Sequence, residues 1–297
     1  MRPHAHRTYL FTPGNHPRRV EKALSLNTDA VILDLEDAVA LVEKVATRDL
    51  VRATLNVPRD TAAYVRVNAY DTPFCYGDIC AVVCDALDGI VLPKIESVAD
   101  LQSADWLISN LERERELEAG SIDLMPIIET AKGMAAVRAI ATAGVTRVRR
   151  LAFGAGDYTR DLGISWSMAE GELLPARSEM VLASRLGGLE PPVDTVFIHI
   201  KEAEAYAASC VTARDLGFQG KMTIHPDQIT AANTTFAPDA EAIAFAEKIV
   251  AAFDEAEKAG VASIQVDGYF VDYPIVEKAQ RIVDLYDAVA AAAEARA

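Results

Sequence analysis

Short apolar runs recur along this chain, and the stretches between them carry apolar residues at helical spacing. The runs begin near Thr8, Ala30, Ala63, Asp88, Asp123, Leu151, Thr195 and Met222. Strand-like runs that alternate with helices are typical of right-handed βαβ units and a parallel sheet. Eight such units predict an α/β protein with a closed (β/α)8 TIM barrel. The longest interval is expected to contain a loop insertion at residues 163–174 and a helix at 175–185.

A doubly wound open sheet is the competing fold, and it would need a phosphate-binding loop after its first strand. The segment Thr12-Pro-Gly-Asn15 lacks the G-x-G-x-x-G spacing of such a loop. After the eighth unit follow an amphipathic helix at about 238–260, a short apolar run at 263–266 and another helix from 274 onward. We therefore predict a barrel domain over residues 1–235. Residues 236–297 are predicted to form a C-terminal helical extension, a lid or oligomer arm of the same domain.

Polar residues stand where the predicted strands end. In chain order these ends carry Thr12-Pro-Gly14, Leu35-Glu-Asp37, Arg66-Val-Asn68, Pro93-Lys94, Glu129-Thr130, Gly154-Ala-Gly-Asp157, His199 and Ile224-His-Pro226. Active sites of (β/α)8 barrels lie at the carboxyl ends of the strands, because those ends meet on one face of the barrel. The concentration of polar residues there predicts an enzyme.

Two of these ends place a carboxylate directly after an apolar run: Glu129 and, one strand–helix unit later, Asp157. Glu36 and Asp37 are expected on the same rim, and four acids so close would repel one another without a cation. Mg²⁺ takes one or two protein carboxylates and fills its other positions with water and substrate oxygens. The chain has no His/Cys cluster, so Glu129 and Asp157 are predicted to bind Mg²⁺ or Mn²⁺ rather than Zn²⁺. The alternative is that both carboxylates cap the following helices.

Two basic residues are expected at the same rim. Arg66 lies within an apolar run, where a charge is costly unless it is paired, and Asp34 and Glu36 are its expected partners. Such a pair can be purely structural, but a forked guanidinium can also clamp a substrate carboxylate or thioester oxygen. Lys94 could form a Schiff base. A metal site makes that route redundant, so we expect Lys94 to be ion-paired or to bind an anion.

Composition and charge narrow the choice of ligands. Apolar residues make up 51% of the chain and charged residues 25%, as in ordinary globular proteins. The formal net charge of −15 gives the chain no overall attraction for nucleic acid or an anionic membrane, so an anionic ligand would need a local basic site. The four cysteines show no metal or redox spacing and are expected to be buried free thiols. With no membrane-span or signal-peptide pattern, we expect a cytoplasmic protein.

Nine motifs occur in order along nearly the whole chain. They are Phe11-Thr-Pro-Gly14, Leu33-Asp-Leu-Glu-Asp-Ala-Val39, Val65-Arg-Val-Asn68, Val91-Leu-Pro-Lys94, Ile128-Glu-Thr130, Phe153-Gly-Ala-Gly-Asp157, Gly217-Phe-Gln-Gly-Lys221, Ile224-His-Pro226 and Gly268-Tyr-Phe-Val-Asp272. Together they resemble the citrate lyase β-subunit-like proteins of the HpcH/HpaI aldolase/citrate lyase superfamily. Two departures stand out: Thr12 occupies a position where valine is common, and Gly156 one where glutamate is frequent.

The resemblance implies a (β/α)8 barrel that binds Mg²⁺ through Glu129 and Asp157, which thereby also hold the substrate. It implies that Arg66 meets a substrate anion or thioester carbonyl. Glu36 and Asp37 would hold metal-bound waters or orient Arg66.

The resemblance also concerns the assembly. In lyases of this group an aspartate from a neighbouring subunit's C-terminal segment completes the site, and the matching residue is Asp272. Homotrimers or hexamers are usual.

From these features we expect a Mg²⁺-dependent lyase that cleaves a 3-hydroxyacyl-CoA thioester of the malyl, citramalyl or citryl type. The products would be acetyl-CoA and a 2-oxo acid. One alternative is a pyruvate-type aldolase that acts on free 2-keto-4-hydroxy acids. The other is a β-like subunit of a citrate lyase complex with an acyl-carrier protein partner.

Overall fold

The structure, a computed structural model, describes residues 6–294, with side chains up to residue 291. Residues 1–5 of the predicted barrel domain and residues 295–297 of the predicted C-terminal extension lie outside the described residues. The chain divides into two compact units. One is Arg7–Thr234, and the other contains residue 6 and residues 235–294.

Eight parallel strands close into a barrel in the first unit, where each strand pairs with the next and β1 also pairs with β8. The strands are β1 (Thr8–Pro13), β2 (Ala30–Asp34), β3 (Ala62–Arg66), β4 (Gly89–Leu92), β5 (Asp123–Ile128), β6 (Ala152–Phe153), β7 (Val193–Asp194) and β8 (Gly220–Thr223). The prediction of a (β/α)8 barrel is confirmed, and the doubly wound alternative is wrong. Strand β7 begins upstream of its predicted start at Thr195, because Val193 and Asp194 are the residues that pair with β6 and β8.

Alternate strand residues fill the barrel interior. This buried apolar cluster consists of Tyr9, Ala30, Ile32, Tyr64, Val91, Met125, Ile127, Ala152, Val193 and Met222. Because side chains alternate along a strand, Asp34 continues the inward face of Ile32, and Arg66 continues that of Tyr64. The register of β2 and β3 places Asp34 opposite Arg66. The apolar interior therefore ends, at its carboxyl-terminal side, in a layer of charged residues.

Helices connect the strands around the barrel. They are α1 (Pro17–Leu24), α2 (Lys44–Leu55), α3 (Cys75–Val82), α4 (Val98–Glu114), α5 (Ala131–Ala141), α6 (Ala155–Leu162), α7 (Leu174–Leu186), α8 (Ala203–Leu216) and α9 (Ile229–Phe236). The predicted insertion between β6 and β7 follows Gly163, whose φ of 66° is suited to a helix end. It contains one 3-10 turn, Gly171–Leu173, directly before α7. The expected helix at 175–185 is thus present with slightly wider bounds.

The second unit contains two helices and a hairpin: α10 (Ala240–Lys258), β9 (Ser263–Val266), β10 (Tyr269–Asp272) and α11 (Tyr273–Glu294). Strands β9 and β10 pair antiparallel, joined by Asp267 and Gly268 with φ of 48° and 83°. Positive φ at both central residues is the geometry that an Asp-Gly turn favours. The sequence contained this signal, but a hairpin was not predicted. The apolar core of this unit includes Phe253 and Val271.

Two further expectations can be compared with the described residues. All four cysteines are free; Cys75, Cys84 and Cys210 are buried as expected, whereas Cys80 is half-buried. Among residues 6–294, no helix is both long enough and apolar enough to cross a membrane.

Candidate metal centre and active site

Arg66, the last residue of β3, is held by carboxylates of the preceding strand and its loop. Its Nε and Nη2 donate to the two oxygens of Asp34 at 2.7 and 2.6 Å. Its Nη1 lies 3.1 Å from Glu36 Oε2 and 3.6 Å from Asp37 Oδ2. Burial would raise the pKa of Asp34, but the adjacent guanidinium outweighs burial and lowers it. Arg66 therefore has the partners expected from the sequence, and its orientation is fixed before any ligand binds.

Glu129 follows β5 directly and is 3% exposed. Its Oε1 accepts a hydrogen bond from the backbone N–H of Lys94 at 2.9 Å. A Cβ at Gly154 would lie 2.3 Å from Glu129 Oε2, so glycine is required at that position to leave room for the carboxylate. Burial, together with Glu36 and Asp157, raises the pKa of Glu129 to about 8. A carboxylate in these surroundings needs an additional positive charge in order to ionise readily.

Asp157 lies in the first turn of α6 rather than on a strand, and its side chain is 12% exposed. Its Oδ2 is 3.4 Å from Lys94 Nζ, and its Oδ1 is 2.5 Å from Arg160 Nη2. Helix α6 begins after Gly154 without a side-chain cap. The alternative reading of Asp157 as a helix cap is therefore wrong.

The corresponding alternative for Glu129 is also wrong. The cap of α5 is Thr130, whose Oγ1 accepts the N–H of Gly133 at 3.0 Å. The Glu129 carboxylate is thus free of any capping role and faces Lys94 and the charged layer.

Lys94 connects these carboxylates. Its Nζ contacts Glu36 Oε1 in addition to Asp157 Oδ2. Burial would lower the pKa of Lys94, but the hydrogen bond to Glu36 and the surrounding carboxylates outweigh burial and raise it. A firmly protonated amine cannot attack a carbonyl, so the Schiff-base reading is disfavoured and the ion-paired one agrees with the contacts.

The charges of this layer do not balance. Once Glu129 is ionised, the carboxylates of Asp34, Glu36, Glu129 and Asp157, which are buried or nearly so, face two interior cations among the described residues, Arg66 and Lys94. Arg160 contacts Asp157 from an exposed position. Among the described residues there is no group of three or more His, Cys, Asp and Glu side chains suited to hold a metal. Two carboxylates with unbalanced charge instead fit Mg²⁺, which completes its coordination with water and substrate oxygens.

Sequence reasoning did not predict the contacts by which Lys44 and Asn68 hold the layer in place. Lys44, buried on α2, donates from Nζ to the backbone carbonyls of Leu35 and Glu36, and Asn68 Nδ2 donates to the same Leu35 carbonyl at 3.0 Å. Nothing in the pattern around Lys44 distinguishes it from an exposed helix residue. For Gly154, which leaves room for the Glu129 carboxylate, the Gly-Ala-Gly sequence before Asp157 was a usable signal.

Asp272, the remaining predicted site residue, belongs to the second unit. It is half-buried, ends β10 and pairs with Ser263 in the hairpin. Its predicted role in catalysis stays a prediction.

A closed barrel with a charged, carboxylate-rich layer at the carboxyl ends of its strands defines an enzyme of the (β/α)8-barrel class. The model of the HpcH/HpaI aldolase/citrate lyase family matches residues 7–226. The chain belongs to this family, as the motifs indicated.

Similar proteins include curated relatives and solved structures. Citrate lyase subunit beta of Leuconostoc mesenteroides subsp. cremoris is 37% identical over 284 residues, covering 95% of this chain and 93% of the relative. A (3S)-malyl-CoA thioesterase of Cereibacter sphaeroides is 35% identical and covers 97% of each chain. The crystal structure of CitE from Mycobacterium tuberculosis in complex with magnesium, acetoacetate and coenzyme A has a TM-score of 0.76 at 28% identity. The match covers 96% of this chain and 99% of the Mycobacterium tuberculosis chain.

Proposed function

We propose that this protein is a Mg²⁺-dependent lyase that cleaves the carbon–carbon bond of a 3-hydroxyacyl-CoA thioester. Malyl-, citramalyl- and citryl-CoA are the candidate substrates, and acetyl-CoA and a 2-oxo acid are the products. The observation that carries the proposal is the pair Glu129 and Asp157 in a layer short of positive charge, with Arg66 held rigidly beside it. The CoA-bound and magnesium-bound relative supports the same reading.

Each site residue has a task in this reaction. Glu129 and Asp157 hold Mg²⁺, which when bound supplies a Lewis acid for the substrate's carboxylate and hydroxyl oxygens. In the cleavage the substrate hydroxyl gives its proton to water and its oxygen becomes the carbonyl oxygen of the 2-oxo acid. The electron pair of the broken carbon–carbon bond passes to the acyl-thioester fragment, which becomes an enolate. Arg66 neutralises that enolate oxygen, where negative charge develops in the transition state.

The remaining residues orient Arg66 or protonate the enolate. Glu36 and Asp37 contact Arg66 and fix its direction, or hold waters at the metal. Asp272, supplied by the C-terminal segment of a second subunit, protonates the acetyl carbon of the enolate. This role requires a homo-oligomer, and we propose a trimer or hexamer.

The reaction is tested by incubating the protein with malyl-, citramalyl- and citryl-CoA and Mg²⁺ and identifying the products. We expect acetyl-CoA together with glyoxylate, pyruvate or oxaloacetate, and no product after chelation of the metal. Release of free CoA thiol with the intact hydroxy acid would instead show thioester hydrolysis. Hydrolysis is the second candidate function, and the name of the Cereibacter sphaeroides relative favours it. Cleavage of free 2-keto-4-hydroxy acids alone would favour the pyruvate-type aldolase.

A carrier-linked subunit is the other alternative, and the citrate lyase relatives favour it. Co-purification of a small acidic acyl-carrier protein would support it, together with activity only on carrier-linked thioesters. Turnover of CoA thioesters by the purified chain alone would support a stand-alone enzyme.

Metal binding is expected to depend on pH through Glu129. The carboxyl's pKa is raised from its ordinary value of 4.5 to about 8, so between these values the metal-free site holds a proton that Mg²⁺ must displace. We therefore expect the Mg²⁺ affinity to rise about tenfold per pH unit from pH 5.5 to 7.5 and to level off above about pH 8.5. Isothermal titration calorimetry in buffers of different ionisation enthalpy measures the proton release. Affinity independent of pH in this window would contradict the assignment.

A further inference from the structure

Lys94 contacts three carboxylates that come from three different parts of the barrel rim. Its backbone N–H donates to Glu129 Oε1 at 2.9 Å, while its Nζ contacts Glu36 Oε1 and lies 3.4 Å from Asp157 Oδ2. Its side chain is 24% exposed. In the metal-free site Glu129 thus accepts the Lys94 amide, and Asp157 faces the Lys94 ammonium in addition to Arg160.

The backbone of Lys94 is strained. Its φ of 52° is in the left-handed region, which a lysine adopts at an energetic cost. Such strain persists where surrounding contacts over-determine the conformation, and it is concentrated at functional sites. In this conformation the amide reaches Glu129 and the side chain reaches Glu36 and Asp157 at the same time.

The ammonium and a divalent ion compete for the same carboxylate. One oxygen of Asp157 already contacts Arg160, and the other is the oxygen that Lys94 approaches. An ion held between Asp157 and Glu129 would lie within a few ångströms of the Lys94 ammonium, and two such cations repel each other strongly at low dielectric.

We propose that Lys94 is a positioning residue that holds Glu36 and Asp157 in the metal-free site and releases Asp157 when Mg²⁺ enters. This inference rests on the proposed metal site. Its consequence is that Lys94 weakens Mg²⁺ binding, because the metal must displace a tethered cation. If Lys94 acted only through its backbone amide, Lys94→Met, which retains that amide, would bind Mg²⁺ as tightly as the wild type.

The test compares four proteins at one alkaline pH: wild type, Lys94→Met, Lys94→Arg, and Lys132→Met as a matched control. Lys132 is a surface cation whose side chain is 81% exposed, and it pairs only with Glu96 among the described ion pairs. Mg²⁺ affinity is measured by calorimetry, and Tm is measured with and without Mg²⁺. We expect Lys94→Met to bind Mg²⁺ about tenfold more tightly, since one competing charge is removed. Lys94→Arg and Lys132→Met should each stay within about twofold of wild type.

Thermal stability supplies a second readout. Lys94→Met should have a lower Tm than wild type without Mg²⁺, because Glu36 and Asp157 lose the ammonium that they share. Saturating Mg²⁺ should restore the Tm. If Lys94→Met is too unstable to isolate without metal, Lys94→Gln is measured instead. Unchanged or weaker Mg²⁺ binding in folded Lys94→Met, or in Lys94→Gln where it replaces that variant, would overturn the inference. Failure of the wild type to bind Mg²⁺ would overturn the proposed function itself, so the two failures are distinguishable.

Discussion

Replacing Glu129 by glutamine is expected to abolish Mg²⁺ binding and to lower turnover by about 10³-fold or more, since the Lewis acid is lost. Glutamine keeps an oxygen that can accept the Lys94 amide, and it fits the space beside Gly154. The variant should therefore fold. Calorimetric titration with Mg²⁺ and an assay of the released 2-oxo acid measure the two effects.

The same variant should be more stable than the wild type at alkaline pH in the absence of metal. The folded-state pKa of Glu129 is raised to about 8 by burial and its acidic neighbours. The stability that the protonated Glu129 carboxyl gives to the folded state is therefore fully present below its unfolded-state pKa of 4.5. This stability is lost as the pH rises through about 8. A neutral glutamine avoids this loss, which we place at about 2–4 kcal/mol near pH 9.

A matched control for this variant is Glu96→Gln, because Glu96 is half-buried and pairs with the exposed Lys132. It should leave metal affinity and turnover within about twofold of wild type, as is usual for a surface ion pair. Retained Mg²⁺ binding in Glu129→Gln would contradict the ligand assignment. A loss of alkaline stability would contradict the raised pKa.

Replacing Asp272 by asparagine is expected to lower kcat by about 10³-fold while the Mg²⁺ affinity stays at the wild-type value. Asparagine has the same shape but cannot donate a proton to the enolate carbon, and general acid catalysis typically contributes 10²–10⁴-fold. Steady-state kinetics and Mg²⁺ calorimetry check the two parts. Unchanged kcat would remove the acid role.

A mixing experiment tests whether Asp272 acts across subunits. Asp272→Asn lacks the acid but keeps the metal ligands, and Glu129→Gln lacks a ligand but keeps the acid. If the two variants are co-expressed, about a quarter of the sites in random oligomers should combine an intact barrel with an intact aspartate from another subunit. Recovery of about a quarter of the wild-type activity supports action of Asp272 across subunits. Mixed oligomers with no recovery would place Asp272 and Glu129 of the same chain in one site, or Asp272 outside the site.

Several elements were predictable because their determinants are local. Each buried strand is an apolar run ended by a polar residue, so the strand count and most starts followed from the pattern alone. Arg66 was assigned a carboxylate partner because a charge in an apolar strand must be paired. The motifs indicated the family that the matched family model confirms.

Other features depended on neighbours that are distant in the sequence. The turn at Asp267 and Gly268 carried a usable local signal, although the hairpin was not predicted. By contrast, the support that Lys44 gives to the Glu36 loop had no local signal. The placement of Asp157 on a helix turn instead of a strand end became visible only once the length of β6 was set by its pairing with β5.

The sequence by itself determined the eightfold alternation of strands and helices, the family, and which residue types crowd the rim. Only the tertiary structure decided that Lys94 lies among Glu36, Glu129 and Asp157, and that the buried layer is short of positive charge. The physical reason is that periodicity reports which face of an element is apolar. The distances between charges on different strands, and hence their pKa values, arise only when the barrel closes and excludes water.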